Sequence, residues 1–225
     1  MPVTASEIRP HSIESHNSVV AVPLTTPGVT VVRGLPTFGY DGDQAEITFE
    51  CVRVPVTNRL GDEGQGFQVA QTRLAAARLH HSMRLVGLAE RSLQVAVGRG
   101  FDRRVSGILL AEKDVFRSQI AECRLLIDQA RLITLHAAWV VDSQGARAAQ
   151  PQISAAKIIT TRMAAEVLDR CISVHGALGV SDDTPLARWW ANARSLQIAD
   201  GPEESHLEIL ARHALSRTAD PQPAP

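Results

Sequence analysis

The chain has 225 residues, which is enough to bury a substantial hydrophobic core without disulfide or metal support. Its 23 basic and 24 acidic residues leave a formal net charge of −1, which gives no electrostatic basis for binding nucleic acid or an anionic membrane. The three cysteines are far apart and form no C-x-x-C pair, so the composition predicts a cytoplasmic protein without a disulfide framework. The apolar runs are too short to span a bilayer, so no membrane-spanning segment is predicted.

The first sixty residues are predicted to form part of a β-sheet. β-Branched runs separated by turn residues predict strands at 18–23, 29–33 and 45–50, with a short continuation at 52–55. Three or four strands without a second layer to cover them make a poor independent domain. We therefore interpret residues 1–61 as a partial β-domain.

After the glycine-rich stretch at 61–66 the hydrophobic spacing changes to the period of an α-helix. Long helices are predicted at 67–98, 109–141 and 152–174, followed by shorter ones at 185–196 and 202–215. Long helices joined by short connections form antiparallel bundles. The predicted fold class is thus mainly α, with an antiparallel four-helix bundle at 62–217 preceded by the partial sheet, and the proline-rich segment 218–225 is predicted to be disordered.

Metal chemistry has little support in the sequence. A di-iron site in a helical bundle needs two Glu-x-x-His pairs, and Glu203-x-x-His206 is the one such pair. His80 and His81 are adjacent on the first long helix, so they point in different directions and are expected to have surface or packing roles. No metal site is predicted.

The segment Ile198-Ala-Asp-Gly-Pro-Glu-Glu-Ser-His206 has a simple structural interpretation. Gly201 can cap a helix, and Pro202 suits the first helical position because its missing N–H would have no partner there. This interpretation leaves Asp200 as a spare cap, so a role in chemistry stays open for it.

Two further segments allow both a structural and a ligand-binding interpretation. Arg103 and Arg104 lie between two predicted long helices, where they could bind a pyrophosphate or cap the C-terminus of the first helix. Gly176 and Gly179 follow the third helix, where they could end it or let a ligand approach the backbone.

Taken in order, eight elements of the sequence resemble one family. They are Thr26-Pro-Gly-Val-Thr-Val-Val-Arg33, Phe49-x-x-Val-Arg-Val-Pro55, Gly64-x-Gly-Phe67, Arg78, Val86-Gly-Leu-Ala89, Arg103-x-x-x-Gly107, His175-Gly-Ala-Leu-Gly179 and Ala199-Asp-Gly-Pro-Glu-Glu204. The ordered set, over about residues 12 to 217, resembles the acyl-CoA dehydrogenase family, in the branch that carries Ala-Asp-Gly-Pro near its C-terminus. The resemblance implies an enzyme that uses FAD to oxidise the α–β bond of an acyl-CoA thioester.

The resemblance also implies roles for individual residues. Asp200 matches the catalytic base, which removes the α-proton while a hydride leaves the β-carbon, and Arg78 matches an arginine near that base on the substrate side. Arg103 matches an arginine that contacts the flavin pyrophosphate, in the family often across a dimer interface. Gly201 and Pro202 begin the segment beside the flavin.

The C-terminal end of the third helix supplies the remaining implied cofactor contacts. Gly176 matches a glycine that lets the cofactor pass close to the backbone, and Ser173 occupies the position of the family's usual glutamine. Two further departures are Ala177, in place of a second glycine, and Ser106, in place of a phenylalanine.

The resemblance finally implies that half of the enzyme lies outside this sequence. Complete members carry an N-terminal helical domain and a middle strand domain before the helical bundle, and this chain is expected to begin inside the middle domain. It would then work as a homo-oligomer, or as a hetero-oligomer with a chain that supplies the missing half, and the isolated chain is expected to be inactive. The alternative is a non-catalytic remnant that serves as a helical dimerisation or interaction module.

Overall fold

The structure is a computed structural model that describes residues 17–41 and 44–219. Its contacts divide the chain into two compact units, Met1–Leu74 and Ala75–Pro225. The predicted domain limits at 61/62 and 217/218 stay predictions.

The described part of the first unit contains two separate antiparallel strand pairs. Strand β1 (Val19–Val20) pairs with β4 (Arg59–Leu60), and β2 (Val29–Gly34) pairs with β3 (Ala45–Phe49). Most of their side chains are exposed, as expected for strands without a covering layer. The predicted strand at 52–55 is wrong, because this stretch forms no strand pair with any described residue and leads through Pro55 into a 3₁₀ turn at Val56–Asn58.

The rest of the chain is helical, and the predicted mainly α class is confirmed. The long helices are α1 (Gly66–Asp102), α2 (Asp114–Gln144) and α3 (Gln150–His175). The shorter helices are α4 (Ala177–Val180), α5 (Leu186–Ser195) and α6 (Glu203–Ala219). Within the described residues, no helix is both long enough and apolar enough to cross a bilayer.

The second long helix begins later than predicted. Residues 104–109 form a small hairpin of β5 (Arg104–Val105) and β6 (Ile108–Leu109), and a 3₁₀ turn at Leu110–Glu112 precedes α2. Ser106 and Gly107 both have positive φ, at 56° and 80°. A two-residue turn with this geometry matches the twist of a strand pair, so it directs the chain into a hairpin rather than a helix. At the C-terminal end, α6 includes the first two residues of the predicted tail, while residues 220–225 lie outside the described ones.

Helix α3 lies at the centre of the helical unit. Half of its residues are buried, as expected for a helix with neighbours on several sides, and it packs against α2, α4, α5 and α6. The shared core joins aliphatic side chains of α1, α2, α3 and α5. Its largest fully buried members are Leu85, Val86, Ile127, Met163, Val167, Leu168 and Leu186.

A charged network on the bundle surface ties α1 to α2. The two terminal nitrogens of Arg124 donate to the two carboxylate oxygens of Glu90, at 2.7 and 2.8 Å, and Arg131 donates to the same carboxylate at 2.8 Å. The hydrogen bonds from Arg124 are the largest cause of the lowered pKa of Glu90. A carboxylate that accepts two parallel hydrogen bonds from one guanidinium group restricts the orientation of the two helices relative to each other.

The three cysteines differ in exposure. Cys51 is exposed in the first unit, whereas Cys123 and Cys171 are buried in the helical core. Burial raises the pKa of Cys123, and it raises the pKa of Cys171 to about 12. The two core thiols therefore stay protonated and behave as small apolar groups.

Candidate active site

A turn between α5 and α6 carries Asp200. Asp200 and Gly201 have φ of 58° and 102°, in the left-handed region. Aspartate tolerates this region better than most residues, and glycine is favoured at the second position. A β-carbon on Gly201 would also lie 3.2 Å from Nε2 of His206, so neither the backbone nor the space suits a larger residue.

Two cations bind the inner side of this turn through backbone oxygens. Arg78 of α1 donates from Nε to the carbonyl oxygen of Asp200 at 3.0 Å. Lys157 of α3 donates from Nζ to the carbonyl oxygen of Gly201, and to that of Gln197 at 3.5 Å. Burial lowers the pKa of both cations, and the charge of Asp200 opposes the shift. The turn is thereby held from inside while its carboxylate stays about a quarter exposed, at 26%.

His81 faces the carboxylate, in contrast to the surface or packing role expected for it. Its Nε2 lies 3.4 Å from Oδ2 of Asp200, and its Nδ1 lies 3.3 Å from a terminal nitrogen of Arg84. Arginine can only donate, so Nδ1 is the acceptor and the proton of the neutral ring sits on Nε2. Burial, the largest cause, lowers the pKa of His81, which favours this neutral form.

His206 forms the floor below Gly201. Its side chain is only 1% exposed, and its Nδ1 lies 3.0 Å from the hydroxyl of Ser154 on α3. Burial is the largest cause that lowers its pKa to about 4, followed by the charges of Lys157 and Arg78. His206 is therefore neutral at pH 7. No cluster of three or more His, Cys, Asp or Glu side chains suited to a metal is found in the described parts of the chain.

A small cavity lies directly behind the turn. Its volume is about 10 Å³, and its polar lining is provided by Arg78, His81, Ser82, Lys157, Thr161 and Asp200. This is room for about one water molecule. An acyl chain does not fit here, so a substrate would have to approach Asp200 from its exposed side.

A second and larger cleft lies near the C-terminal end of α3. Its volume is about 340 Å³, within the range of ligand sites, and Arg103, Ser173 and Gly176 line it together with Lys113 and Phe116. Gly176 has a φ of 64°, and a β-carbon there would meet nothing within 4 Å. The backbone at this helix end is therefore open to a ligand.

The neighbouring arginine is engaged elsewhere. Arg104 donates from a terminal nitrogen to the carbonyl oxygen of Gly107 at 3.0 Å, within the β5–β6 hairpin. Arg103, in contrast, lines the cleft. Of the two interpretations kept for this pair, ligand binding is thus open to Arg103, while Arg104 supports the hairpin.

The predicted site residues fall into two groups. Arg78, Asp200 and Gly201 meet at the turn, with Pro202 exposed just before α6. Arg103, Ser173 and Gly176 meet at the cleft. Ser173 follows Lys157 by sixteen residues of α3, about 24 Å at 1.5 Å per residue, so one chain does not bring the two groups together.

The sequence interpretation missed Lys157, Ser154 and the roles of His81 and His206. A usable signal was present, because Ser154 and Lys157 lie three residues apart in the otherwise apolar stretch 153–159 and therefore share a face of the helix. Lysine is also rare in this chain, which has only Lys113 and Lys157 among its 23 basic residues.

Comparison with known proteins gives consistent matches. The family described as acyl-CoA dehydrogenase, C-terminal domain, matches residues 64–215. The chain is 49% identical over 202 residues to "Probable acyl-CoA dehydrogenase FadE2" of Mycobacterium tuberculosis, covering 89% of the chain and 50% of that protein. It is 42% identical over 214 residues to acyl-CoA dehydrogenase family member 11 of Rattus norvegicus, covering 92% of the chain and 28% of that protein.

A solved structure shows the same fold. Butyryl-CoA dehydrogenase from Megasphaera elsdenii superimposes with a TM-score of 0.81 at 25% identity, over 90% of this chain and 52% of that one. The chain therefore spans about half, or less, of the length of these relatives.

Proposed function

The chain belongs to the acyl-CoA dehydrogenase family and corresponds to the C-terminal helical domain of that family. We therefore propose that it is part of a flavin enzyme that oxidises an acyl-CoA thioester between its α- and β-carbons. The observation that carries the proposal is the turn at Asp200. Buried Lys157 and half-buried Arg78 hold its backbone, while its carboxylate stays partly exposed beside a neutral histidine. A base needs this combination of fixed position and access to substrate.

In this reaction Asp200 takes the proton from the α-carbon. Arg78 and Lys157 bind carbonyl oxygens of the turn, so they orient the carboxylate without occupying it. His81, with its proton on Nε2, faces one carboxylate oxygen and limits rotation of the side chain. FAD, when bound, supplies the acceptor for the hydride that leaves the β-carbon.

The residues of the larger cleft fit one part of FAD, its pyrophosphate. Arg103 offers planar paired donors to phosphate oxygens, and Lys113 adds a second positive charge. Gly176 leaves its backbone open, and Ser173 offers a hydroxyl at the same helix end. We propose that these residues bind the pyrophosphate.

The separation of the two groups along α3 supports an oligomeric enzyme. If Arg103 of one copy contacts the FAD that faces Asp200 of another copy, the distance of about 24 Å within one chain presents no difficulty. The one-water cavity behind Asp200 supports the further proposal that other polypeptide segments complete the acyl-CoA site. The cytoplasmic setting predicted from the cysteines remains part of the proposal.

The test compares the chain alone with the chain co-expressed with a polypeptide that supplies the N-terminal half of a relative. FAD absorbance is recorded first, and acyl-CoA thioesters of several chain lengths are then added without oxygen. We expect weak or no FAD binding and no bleaching by the chain alone, and both in the completed assembly. An assembly that forms but binds no FAD would contradict the proposal.

A helical interaction module is the second candidate, and one surface of α2 favours it. Four large apolar side chains, Leu125, Leu132, Leu135 and Trp139, follow one exposed face of the helix, each more than half exposed. Such a stripe is typical of a surface that another helix covers. A chain that assembles through α2 and shows no flavin binding in any completed assembly would support this function instead.

A further inference from the structure

We infer that Lys157 is a positioning residue that fixes the turn at 197–201 and thereby holds Asp200 in the conformation required of the base. The importance of Asp200 rests on the proposed function. The effect of Lys157 on the turn rests on the geometry alone and is tested separately.

The setting of Lys157 is unusual for a lysine. The residue is only 4% exposed, although lysine is rarely buried unless its charge is paired. No carboxylate in the described parts of the chain forms an ion pair with it within 4 Å. Its hydrogen-bond partners are backbone carbonyl oxygens instead, so the buried ammonium group stabilises the backbone conformation of the turn.

The two acceptors lie on either side of the base. Gln197 and Gly201 are four residues apart, and one ammonium group contacts both of their carbonyl oxygens. Arg78 contacts the carbonyl oxygen of Asp200 between them. Three carbonyls of one short turn thus point inward to two cations, which leaves the carboxylate of Asp200 on the outer side.

The same face of α3 supports the turn at two further points. Ser154, three residues before Lys157, contacts Nδ1 of His206 at 3.0 Å. The carbonyl oxygen of Thr161, four residues after it, accepts from Nε2 of Gln197 at 3.3 Å. Lys157 is central among these contacts and provides the positive charge, so its loss should loosen the turn without removing the floor beneath it.

The first experiment measures amide hydrogen exchange of the turn in the whole chain. Lys157→Met keeps the length and burial of the side chain but removes its donors, and Arg170→Met is the matched control, because it removes a cation from the same helix about 20 Å away. We expect exchange at residues 197–199 to be about tenfold faster or more in Lys157→Met. We expect no change in Arg170→Met and partial recovery in Lys157→Arg. Unchanged exchange in a folded Lys157→Met, or equal acceleration in Arg170→Met, would overturn the inference.

A second measurement needs no variant of Lys157. The chain has two lysines, and Lys113 is partly exposed, so reductive methylation followed by mass spectrometry compares them within one molecule. Lys157 should react at least about tenfold more slowly than Lys113, because it becomes accessible only when the turn opens. Equal rates would show that Lys157 is not held under the turn.

Activity of the completed assembly separates this inference from the proposed function. Lys157→Met should lower kcat more than it raises KM and leave FAD affinity unchanged, whereas Asp200→Asn should abolish bleaching. If Asp200→Asn abolishes bleaching while Lys157→Met leaves kcat unchanged, the positioning role is wrong and the proposed base stands. If neither variant affects bleaching but Lys157→Met loosens the turn, the proposed base is wrong and the structural effect of Lys157 stands.

Discussion

Replacing Asp200 with asparagine should remove the chemistry and leave the fold. Asparagine has nearly the same shape and tolerates a φ of 58° at least as well as aspartate, so the turn is preserved. The bonds from Arg78 and Lys157 go to backbone oxygens, and the substitution does not touch them. The lost charge also stabilises the cations Arg78 and Lys157, but it is partly solvated and faces a neutral His81 at 3.4 Å, so the expected cost in unfolding free energy is about 1 kcal/mol.

The expected loss of reaction rate is much larger. A positioned base typically contributes about 10²–10⁴-fold, and asparagine cannot accept the α-proton. The assay is a single-turnover experiment on the completed assembly without oxygen, in which acyl-CoA is mixed with the flavin-loaded protein and bleaching is followed. FAD titration and thermal unfolding are run on the same preparation, and both should match the unsubstituted protein.

The control is Asp182→Asn, which removes an exposed carboxylate on the loop before α5. It should leave bleaching, FAD affinity and stability unchanged. If Asp200→Asn bleaches flavin within about threefold of the unsubstituted rate, far less than loss of a base would cause, Asp200 is not the base. If it loses its fold, the backbone-centred account of the turn is wrong.

Three further substitutions, the first with a matched control, test the cleft, the contact below the turn and the core. Arg103→Ala should weaken FAD binding by about 1.5–3 kcal/mol, the contribution of a charge-assisted hydrogen bond. Arg104→Ala should have little effect, because Arg104 donates to the carbonyl oxygen of Gly107, and a fluorescence titration with FAD compares the affinities of the two variants. His206 has a pKa of about 4 in the folded chain, so as the pH falls the unfolded chain binds a proton first, and the free energy of unfolding decreases between about pH 6.5 and pH 4. His206→Gln should make the free energy of unfolding, measured by urea denaturation, less dependent on pH in this range. Leu168→Ala in the fully buried core should lower the unfolding free energy by about 2–5 kcal/mol at neutral pH, and a smaller loss would mean that the site closes after truncation.

The helical half of the fold was predictable because its signal is repeated many times. In α1 and α3 each buried position recurs at helical spacing, so single exceptions do not disturb the pattern. The hairpin at 104–109 was missed because it depends on two residues, Ser106 and Gly107, whose positive φ values set the turn. The strand predicted at 52–55 failed because β-branched composition does not specify a pairing partner.

The candidate site was predictable only as a set of separate positions. The resemblance gave Asp200 and Arg78, and the structure places the arginine on the carbonyl oxygen of Asp200 rather than on its carboxylate. Lys157 and His206 could not be found in this way, because Lys157 contacts a backbone carbonyl and His206 contacts the hydroxyl of Ser154, and both contacts join residues forty or more positions apart. Local spacing shows that Ser154 and Lys157 share a face of α3, but it does not identify their partners, which depend on which helices pack together.

The unequal exposure of the three cysteines makes the natural chain suitable for spectroscopy. A maleimide dye should attach to Cys51 alone, because the thiols of Cys123 and Cys171 are inaccessible and protonated at neutral pH. The label would then report on the strand-bearing unit without any engineered cysteine. Its fluorescence anisotropy would give a binding isotherm for whichever polypeptide docks beside those strands.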